Sequence, residues 1–316
     1  MEHYNKIDLV TMDSIEKCKL CGREGRIRRR EKSSQLIEWY RSRYSINLPE
    51  IYISKYFDGG EFLEFQCETC LFRWYSPSEC GDGEFYDFLQ DSWSGYYKES
   101  WEFGLSLQWL AEGAVRNMLE IGCGNGDFLL QAKQSGIRCR GVEISSKAIK
   151  NAREKGLHVD SVLGSPEQSG GYDAICLFQV LEHLADPLNQ IRDAVEKYDP
   201  KLILLATPCI ESPVSWSSRP LYWPPHHISN WSLQSYKVLA TAIGYKIKKY
   251  AYEPGDSFEN VYDSYNYIID RVMYRSKDLP NFSRSRKVAR LQYKLARFCN
   301  RPWAMAGHTI LVELEK

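Results

Sequence analysis

The sequence predicts an α/β fold, a mostly parallel sheet with helices on both faces. Three observations carry that prediction. Between about Val115 and Pro254, short apolar runs alternate with amphipathic stretches, the βαβα rhythm of a covered parallel sheet. The run Met118-Leu-Glu-Ile-Gly-Cys-Gly-Asn-Gly-Asp-Phe128 sets a glycine-rich turn between an apolar strand and an apolar helix start. Glu143 closes the next strand, 21 residues after Gly122, where a carboxylate can accept hydrogen bonds from two ribose hydroxyls.

Taken in order, strands are expected at Asn117–Ile121, Arg138–Glu143, His158–Leu163, Tyr172–Phe178, Lys201–Ala206 and Tyr245–Tyr250. Helices are expected around Phe128–Gln134, Ser146–Lys155, Pro187–Lys197 and Leu233–Ile243. Ser145-Ser146 and Asp186-Pro187 are helix starts, and Gly156 and Gly244 are stops. A last strand-like run covers Gly307–Leu314.

The glycine spacing narrows the ligand. Glycine permits positive φ and lets backbone approach a ligand closely. A dinucleotide fingerprint is G-x-G-x-x-G, with the helix N-terminus on a pyrophosphate. Here Gly122, Gly124 and Gly126 read G-x-G-x-G, and Asp127 stands where the third glycine belongs. Asp127 and Glu120 around the turn suit a cation rather than a pyrophosphate, and S-adenosylmethionine carries a sulfonium and an ammonium. The stretch resembles motif I of the class I S-adenosylmethionine-dependent methyltransferases, and Gly141-Val-Glu-Ile144 resembles their second motif. The resemblance implies a Rossmann-like, seven-stranded sheet in which Gly307–Leu314 is an antiparallel strand between two parallel ones. It implies donor binding by Glu120, Gly122, Gly124, Gly126, Glu143 and Ile144. Leu163-Gly-Ser-Pro-Glu-Gln168 lacks the Asp that relatives set against the adenine amine, which leaves Ser165 or a backbone carbonyl for that contact.

After the fourth strand comes Phe178-Gln-Val-Leu-Glu-His-Leu-Ala-Asp-Pro187. Ligands of open α/β sheets bind beyond the carboxyl ends of the strands, so Gln179, Glu182 and His183 emerge beside the donor. The string resembles the Leu-Glu-His-x-x-Asp-Pro motif of small-molecule and sugar methyltransferases. It does not resemble the Asn/Asp-Pro-Pro-aromatic motif of enzymes acting on nucleic-acid bases. The loop after the fifth strand, Ile210–Asn230, is dense in Trp and Pro and ends Tyr222-Trp-Pro-Pro-His-His-Ile-Ser-Asn-Trp231. It, too, resembles a loop of that family and is placed to lid an acceptor site. Trp216, Tyr222 and Trp223 either stack on a sugar ring or pack beneath the lid. Cys209 is a poor match for a cytosine-C5-type nucleophile, which follows the fourth strand. An acceptor hydroxyl needs a base, best a histidine of near-neutral pKa. His227 is assigned that role, with His183 positioning the acceptor and His226 orienting the loop.

Two segments lie outside the sheet. Cys18-x-x-Cys21 and Cys67-x-x-Cys70 present four thiolates across a 45-residue spacer, the donor set of a closed structural zinc site. With the aromatic stretch Phe72–Pro77 and the tyrosines Tyr86, Tyr96 and Tyr97, this region resembles the zinc-bearing module of certain sugar methyltransferases. Near the other end, 283–300 reads as a basic amphipathic helix with six Lys or Arg and no acid. Such a helix either touches an anionic membrane peripherally or packs against protein.

The expected organisation is a zinc-binding module over 1–80 and an aromatic linker with a helix over 81–105. The methyltransferase domain follows over 106–316, with a helical insertion at 254–304. Lys plus Arg and Asp plus Glu balance at 41 each, so no global basic field advertises nucleic acid. Arg23, Arg26 and Arg28–Arg30 are the best footprint an RNA methyltransferase reading has. No apolar run reaches the ~18–20 residues of a membrane span, the first residues lack a signal-peptide core, and ten cysteines, four of them in close pairs, suit a reducing compartment. The expectation is a cytoplasmic O-methyltransferase acting on a nucleotide sugar or surface glycan. The rivals are a zinc-containing RNA methyltransferase and a donor-binding zinc protein without turnover.

Overall fold

A computed structural model describes residues 15–93, 100–163, 171–212, 220–254 and 306–316. Its larger sheet runs through β5 (Asn117–Ile121), β6 (Arg138–Val142), β7 (Val159–Asp160), β8 (Ala174–Phe178), β9 (Leu202–Pro208), β11 (Lys246–Pro254) and β12 (Ala306–Glu315). The spatial order is β11-β12-β9-β8-β5-β6-β7. All pairings are parallel except those of β12, which lies antiparallel between β11 and β9. This is the expected methyltransferase sheet with its reversed seventh strand. Strand order switches direction at β5, which opens the crevice beyond the ends of β5 and β8.

Every residue of β8 and β9 is buried, which is why these central strands read as unbroken apolar runs rather than alternations. The helices α5 (Asp127–Gln134), α6 (Ser146–Glu154), α7 (Pro187–Tyr198) and α8 (Leu233–Ala242) follow the predicted spans. The Ser145 hydroxyl accepts from the Ala148 amide and the Asp186 carboxylate from the Asn189 amide, so each capping signal is real. The predicted strand at His158–Leu163 shrinks to two residues. β7 is the sheet edge and pairs with β6 at only Val159 and Asp160, and beyond it Val162 is 70% exposed, with no second strand to hold it.

A second sheet lies N-terminal to the first. It contains β1 (Ile15–Lys17), β2 (Glu24–Lys32), β3 (Glu61–Cys67) and β4 (Arg73–Ser76), all antiparallel. Helices α1 (Ser33–Tyr44) and α2 (Glu50–Tyr56) fill the long spacer between the cysteine pairs, and α3 (Gly83–Ser92) and α4 (Glu102–Glu112) lead into the larger sheet. Its fifth strand, β10 (Ser229–Asn230), comes from the loop between β9 and α8 and pairs with β4 through Ser229–Trp74 and Asn230–Arg73. Cys18, Phe65, Phe72 and Trp74 share one apolar core with Leu177, Leu181, Trp231 and Tyr236. The two sheets therefore grip the same loop. The basic stretch at 283–300, with its expected membrane contact, and most of the 254–304 insertion lie outside the described residues, as do Trp216 and Ser165.

Candidate functional site

The glycine turn is shaped by what surrounds it. Gly122 has φ +73°, and a Cβ there would come within 2.4 Å of Val180 Cγ2. Gly126 has φ +76°, and its Cβ would meet Leu157 Cδ1 at 2.4 Å, so α5 packs closely only because this residue has no side chain. The Glu143 carboxylate holds the turn from the neighbouring strand. Its Oε2 accepts from the Gly124 amide at 2.8 Å, and Oε1 accepts from the amides of Ile144 (2.8 Å) and Ser145 (2.9 Å). An ionised carboxylate has about four lone-pair sites, so three backbone bonds leave capacity facing the cavity that Glu143 lines.

Two acids flank the turn as predicted, with different fates. Asp127 is paired with Lys155 at 2.6 Å. Glu120 is buried, with Oε2 lacking a hydrogen-bond partner among the described residues. Burial, reinforced by the charges of Glu143 and Asp127, pushes its carboxyl well above the usual range. A buried carboxyl with no partner is costly, and a ligand cation would relieve it. Ile144 stands at the rim, 63% exposed. Gln179 adopts φ +57° at the end of β8, an unusual conformation for a non-glycine residue, and its amide donates to Glu102 Oε1 at 3.2 Å. Glu102, on α4, is buried and raised to about 7 by desolvation. Nothing in the sequence singled it out, because a lone Glu on an amphipathic helix carries no signal until packing turns it inward.

These groups line one cavity of about 680 Å³, and its far wall is a cluster of three histidines. His183 ends a 3-10 turn, Leu181–His183, directly after β8. His226 and His227 follow the cis Pro224–Pro225 bond on the loop that β10 terminates. Ring centroids stand 4.9 Å apart for His183–His226 and His183–His227, and 4.5 Å for His226–His227. The His183 Nδ1 lies 2.5 Å from the His226 carbonyl and 3.0 Å from the Tyr86 hydroxyl; His226 Nδ1 lies 2.9 Å from the Leu221 carbonyl. Both rings thus donate Nδ1–H to a carbonyl and carry the lone pair on Nε2. Behind the cluster sits Glu182, 1% exposed, with neither oxygen hydrogen-bonded among the described residues and Oε1 3.9 Å from His227 Nε2.

The structure corrects the expected near-neutral imidazoles. Desolvation lowers His183 to about 4 and holds His226 and His227 well below their ordinary value, each helped by the other rings. Burial raises Glu182 in the opposite direction, to about 8. Trp223 is 1% exposed, against Tyr75 and under the Arg29 guanidinium, so it packs the lid from beneath rather than stacking on a ligand. Tyr222 does line the cavity, edge-on to His227. The cavity also takes Tyr86, Trp93 and Trp101 from the segment before the sheet. Cys209 is buried outside the lining of the cavity, and desolvation raises its thiol to about 12, away from a nucleophile's thiolate.

The four cysteines converge at the far end of the smaller sheet. All four Sγ atoms lie within 4.8 Å of one another, with Cys18–Cys70 at 3.6 Å and Cys21–Cys67 at 3.5 Å. A tetrahedral ion with bonds of about 2.3 Å needs sulfurs ~3.8 Å apart, so the donor set fits. Amides of Leu20 and Thr69 donate to Cys18 and Cys67 sulfurs at 3.4 Å, which stabilises thiolates. The module is tied to the histidine loop. The Tyr75 hydroxyl donates to the Tyr222 carbonyl at 2.8 Å and accepts from Asn230 Nδ2 at 2.7 Å. Ser232 Oγ donates to the Cys70 carbonyl, and Trp231 packs edge-on against Phe72 at 5.0 Å. Four of the five arginines offered for RNA are paired with acids: Arg26 with Glu68, Arg28 with Glu64, Arg29 with Glu31 and Arg30 with Glu61.

Residues 93–250 match a family model described as a methyltransferase domain. A ubiquinone biosynthesis O-methyltransferase of Bordetella avium is 31% identical over 103 residues, 28% of this chain and 42% of that protein. A norajmaline N-methyltransferase of Rauvolfia serpentina is 33% identical over 91 residues, 25% of this chain and 31% of its own. The matched stretches thus span less than half of either relative. Among solved structures, an S-adenosylmethionine-dependent methyltransferase of Archaeoglobus fulgidus aligns with 68% of this chain and 94% of its own, at 19% identity and a TM-score of 0.46. With half of the chain inside the family model and the acid-closed glycine turn at the sheet's switch point, the chain belongs to the class I S-adenosylmethionine-dependent methyltransferases.

Proposed function

We propose that the protein methylates a hydroxyl group of a carbohydrate, with four cysteines holding a structural zinc ion. The observation that carries this reading is the single cavity joining the donor turn to the histidine cluster. Glu120 meets the methionine ammonium, Glu143 the ribose hydroxyls, and Gly122, Gly124 and Gly126 admit the donor's backbone approach. Gln179 and Ile144 complete the donor side. On the acceptor side, Glu102, Glu253 and His308 offer hydrogen bonds while Tyr86, Trp93 and Trp101 offer apolar faces, the mixture a polyol ring requires.

The acceptor oxygen attacks the methyl carbon as the carbon–sulfur bond breaks, its electron pair passing to sulfur. His227 takes the acceptor's proton. An imidazole buried this deeply charges only if a counter-charge is near, and Glu182, whose Oε1 lies 3.9 Å from His227 Nε2, supplies one in its ionised form. His183 positions the acceptor, and His226, anchored to the Leu221 carbonyl, orients the loop. Most of the rate comes from alignment, since in-line displacement rewards a fixed near-attack geometry.

The Cys18, Cys21, Cys67 and Cys70 cluster supports a zinc module over 1–80 that serves as the platform for the histidine loop, ahead of the linker over 81–105 and the donor-binding domain over 106–316. Thiols kept for a metal suit a reducing compartment, the cytoplasm. Isotope-labelled S-adenosylmethionine offered with panels of nucleotide sugars, phenols and amines tests the acceptor class. Label on sugar oxygens is expected; transfer to amines or phenols alone would overturn the carbohydrate assignment.

A further inference from the structure

We infer that His183, His226 and His227, with Glu182 behind them, form a second metal site, one that takes a divalent transition ion such as zinc. Three observations point there. One ring nitrogen from each histidine lies within 4.8 Å of the others. Two of the rings donate Nδ1–H to backbone carbonyls, the outer-shell arrangement that fixes metal-ligating imidazoles. The buried Glu182 carboxyl has both oxygens without a hydrogen-bond partner among the described residues, one of them 3.9 Å from His227 Nε2.

Size agrees with chemistry. Ligand bonds of ~2.0–2.1 Å bring three imidazole nitrogens to about 3.4 Å from one another, which asks each ring to pivot inward by less than about 1 Å. Three imidazoles, with a carboxyl behind them, suit zinc, cobalt or nickel over magnesium or calcium, which prefer oxygen alone. The site differs in kind from the cysteine cluster, which offers sulfur only.

The consequence for turnover rests on the reading of His227 as the base. An imidazole whose lone pair is on a metal cannot accept a proton, so occupancy of the site and proton removal by His227 exclude each other. Zinc in this site therefore lowers turnover, and a chelator too weak to strip four thiolates restores it.

The test uses the full chain equilibrated with zinc and freed of loosely held ion, with zinc counted per chain and its ligands read by X-ray absorption. Two zinc ions per chain are expected, one with sulfur neighbours and one with nitrogen and oxygen neighbours. His183→Gln and Glu182→Gln should weaken the second ion by at least about 10-fold and keep the first; Cys67→Ser should do the reverse. Retained S-adenosylmethionine affinity certifies that each variant is folded. Wild-type protein with one sulfur-bound zinc and no nitrogen-bound ion would overturn the proposal, as would a second ion unaffected in both His183→Gln and Glu182→Gln. Turnover is the separate readout. If it rises with occupancy of the nitrogen-bound site, the metal site stands and the assignment of His227 as base falls.

Discussion

Replacing Tyr75 with Phe tests whether the cysteine module holds the catalytic loop. The Tyr75 hydroxyl is buried among the Tyr222 carbonyl, the Asn230 amide and Glu64 Oε1, at 2.8, 2.7 and 3.2 Å. Tyr75→Phe keeps the ring contact with Trp223, at 4.8 Å between centroids, so packing is conserved and only polar partners are lost. Each orphaned buried group costs about 1–3 kcal/mol, and the two on the histidine loop, the Tyr222 carbonyl and the Asn230 amide, together ~2–6 kcal/mol. The penalty can be escaped if the loop lifts and lets both groups reach water, which displaces His226 and His227 from the cavity. At ~1.4 kcal/mol per factor of ten, a share of 2 kcal/mol taken by loop opening lowers turnover about 30-fold. The donor turn is built on β5 and β6 and makes no use of Tyr75. Calorimetry should therefore find S-adenosylmethionine affinity within about twofold of wild type, while methyl-transfer assays show kcat well down. Unchanged turnover together with an unchanged melting temperature would refute the argument, and so would donor affinity falling in step with turnover.

Other expectations follow from the same geometry. Glu143→Gln sets an amide NH₂ against backbone N–H groups that now donate to carboxylate oxygen, so donor affinity should fall about 10–100-fold, on the ~1–3 kcal/mol scale of charged hydrogen bonds; unchanged calorimetric affinity would remove Glu143 from the donor site. His227→Ala should cost about 10²–10⁴ in turnover with donor binding intact, more than His226→Ala; if His183→Ala alone abolishes transfer, the base is His183. Cys67→Ser should yield protein short of the sulfur-bound zinc, with near-ultraviolet circular dichroism altered because Trp74 and Trp231 lie in the core shared with the cysteines; an unaltered spectrum with the metal gone would separate the module from the loop. Burial raises the Glu102 carboxyl to about 7, so its contribution to stability is full below the unfolded value near 4.5 and is lost as pH climbs through 7. Glu102→Gln should therefore melt with wild type at pH 4.5 and above it at pH 8, and the opposite ordering by scanning calorimetry would contradict the burial argument.

The donor half of the molecule was legible because its constraints are local. Gly122 and Gly126 announce positive φ, Ser145 and Asp186 announce helix starts, and β8 and β9 announce full burial by their unbroken apolar runs. Each is set within a few residues, so one sequence suffices. The cysteine pairs were legible for a similar reason, since two short knuckles need only meet. The acceptor half was legible in its residue types and not in their state. His183, His226 and His227 could be nominated, yet their lowered basicity depends first on burial and, for His226 and His227, on the neighbouring rings, His183 being 43 and 44 residues away from them in the chain. Glu102 and the burial of Trp223 were hidden because both are decided by what lies across an interface.

That interface also explains why a histidine-bearing loop is placed on a second sheet. The larger sheet fixes one end of the loop, where the Ile228 amide donates to the Glu182 carbonyl and the Leu233 amide to Glu211. It leaves the indole of Trp223 and the carbonyl of Tyr222 to be satisfied from elsewhere. The smaller sheet does so through Arg29, Tyr75 and the β4–β10 pairing. On the proposed assignment, donor contacts depend on one sheet and acceptor chemistry on both. A change in the cysteine module should then appear in turnover before it appears in donor binding, which is the order in which the Tyr75 and Cys67 variants are expected to fail.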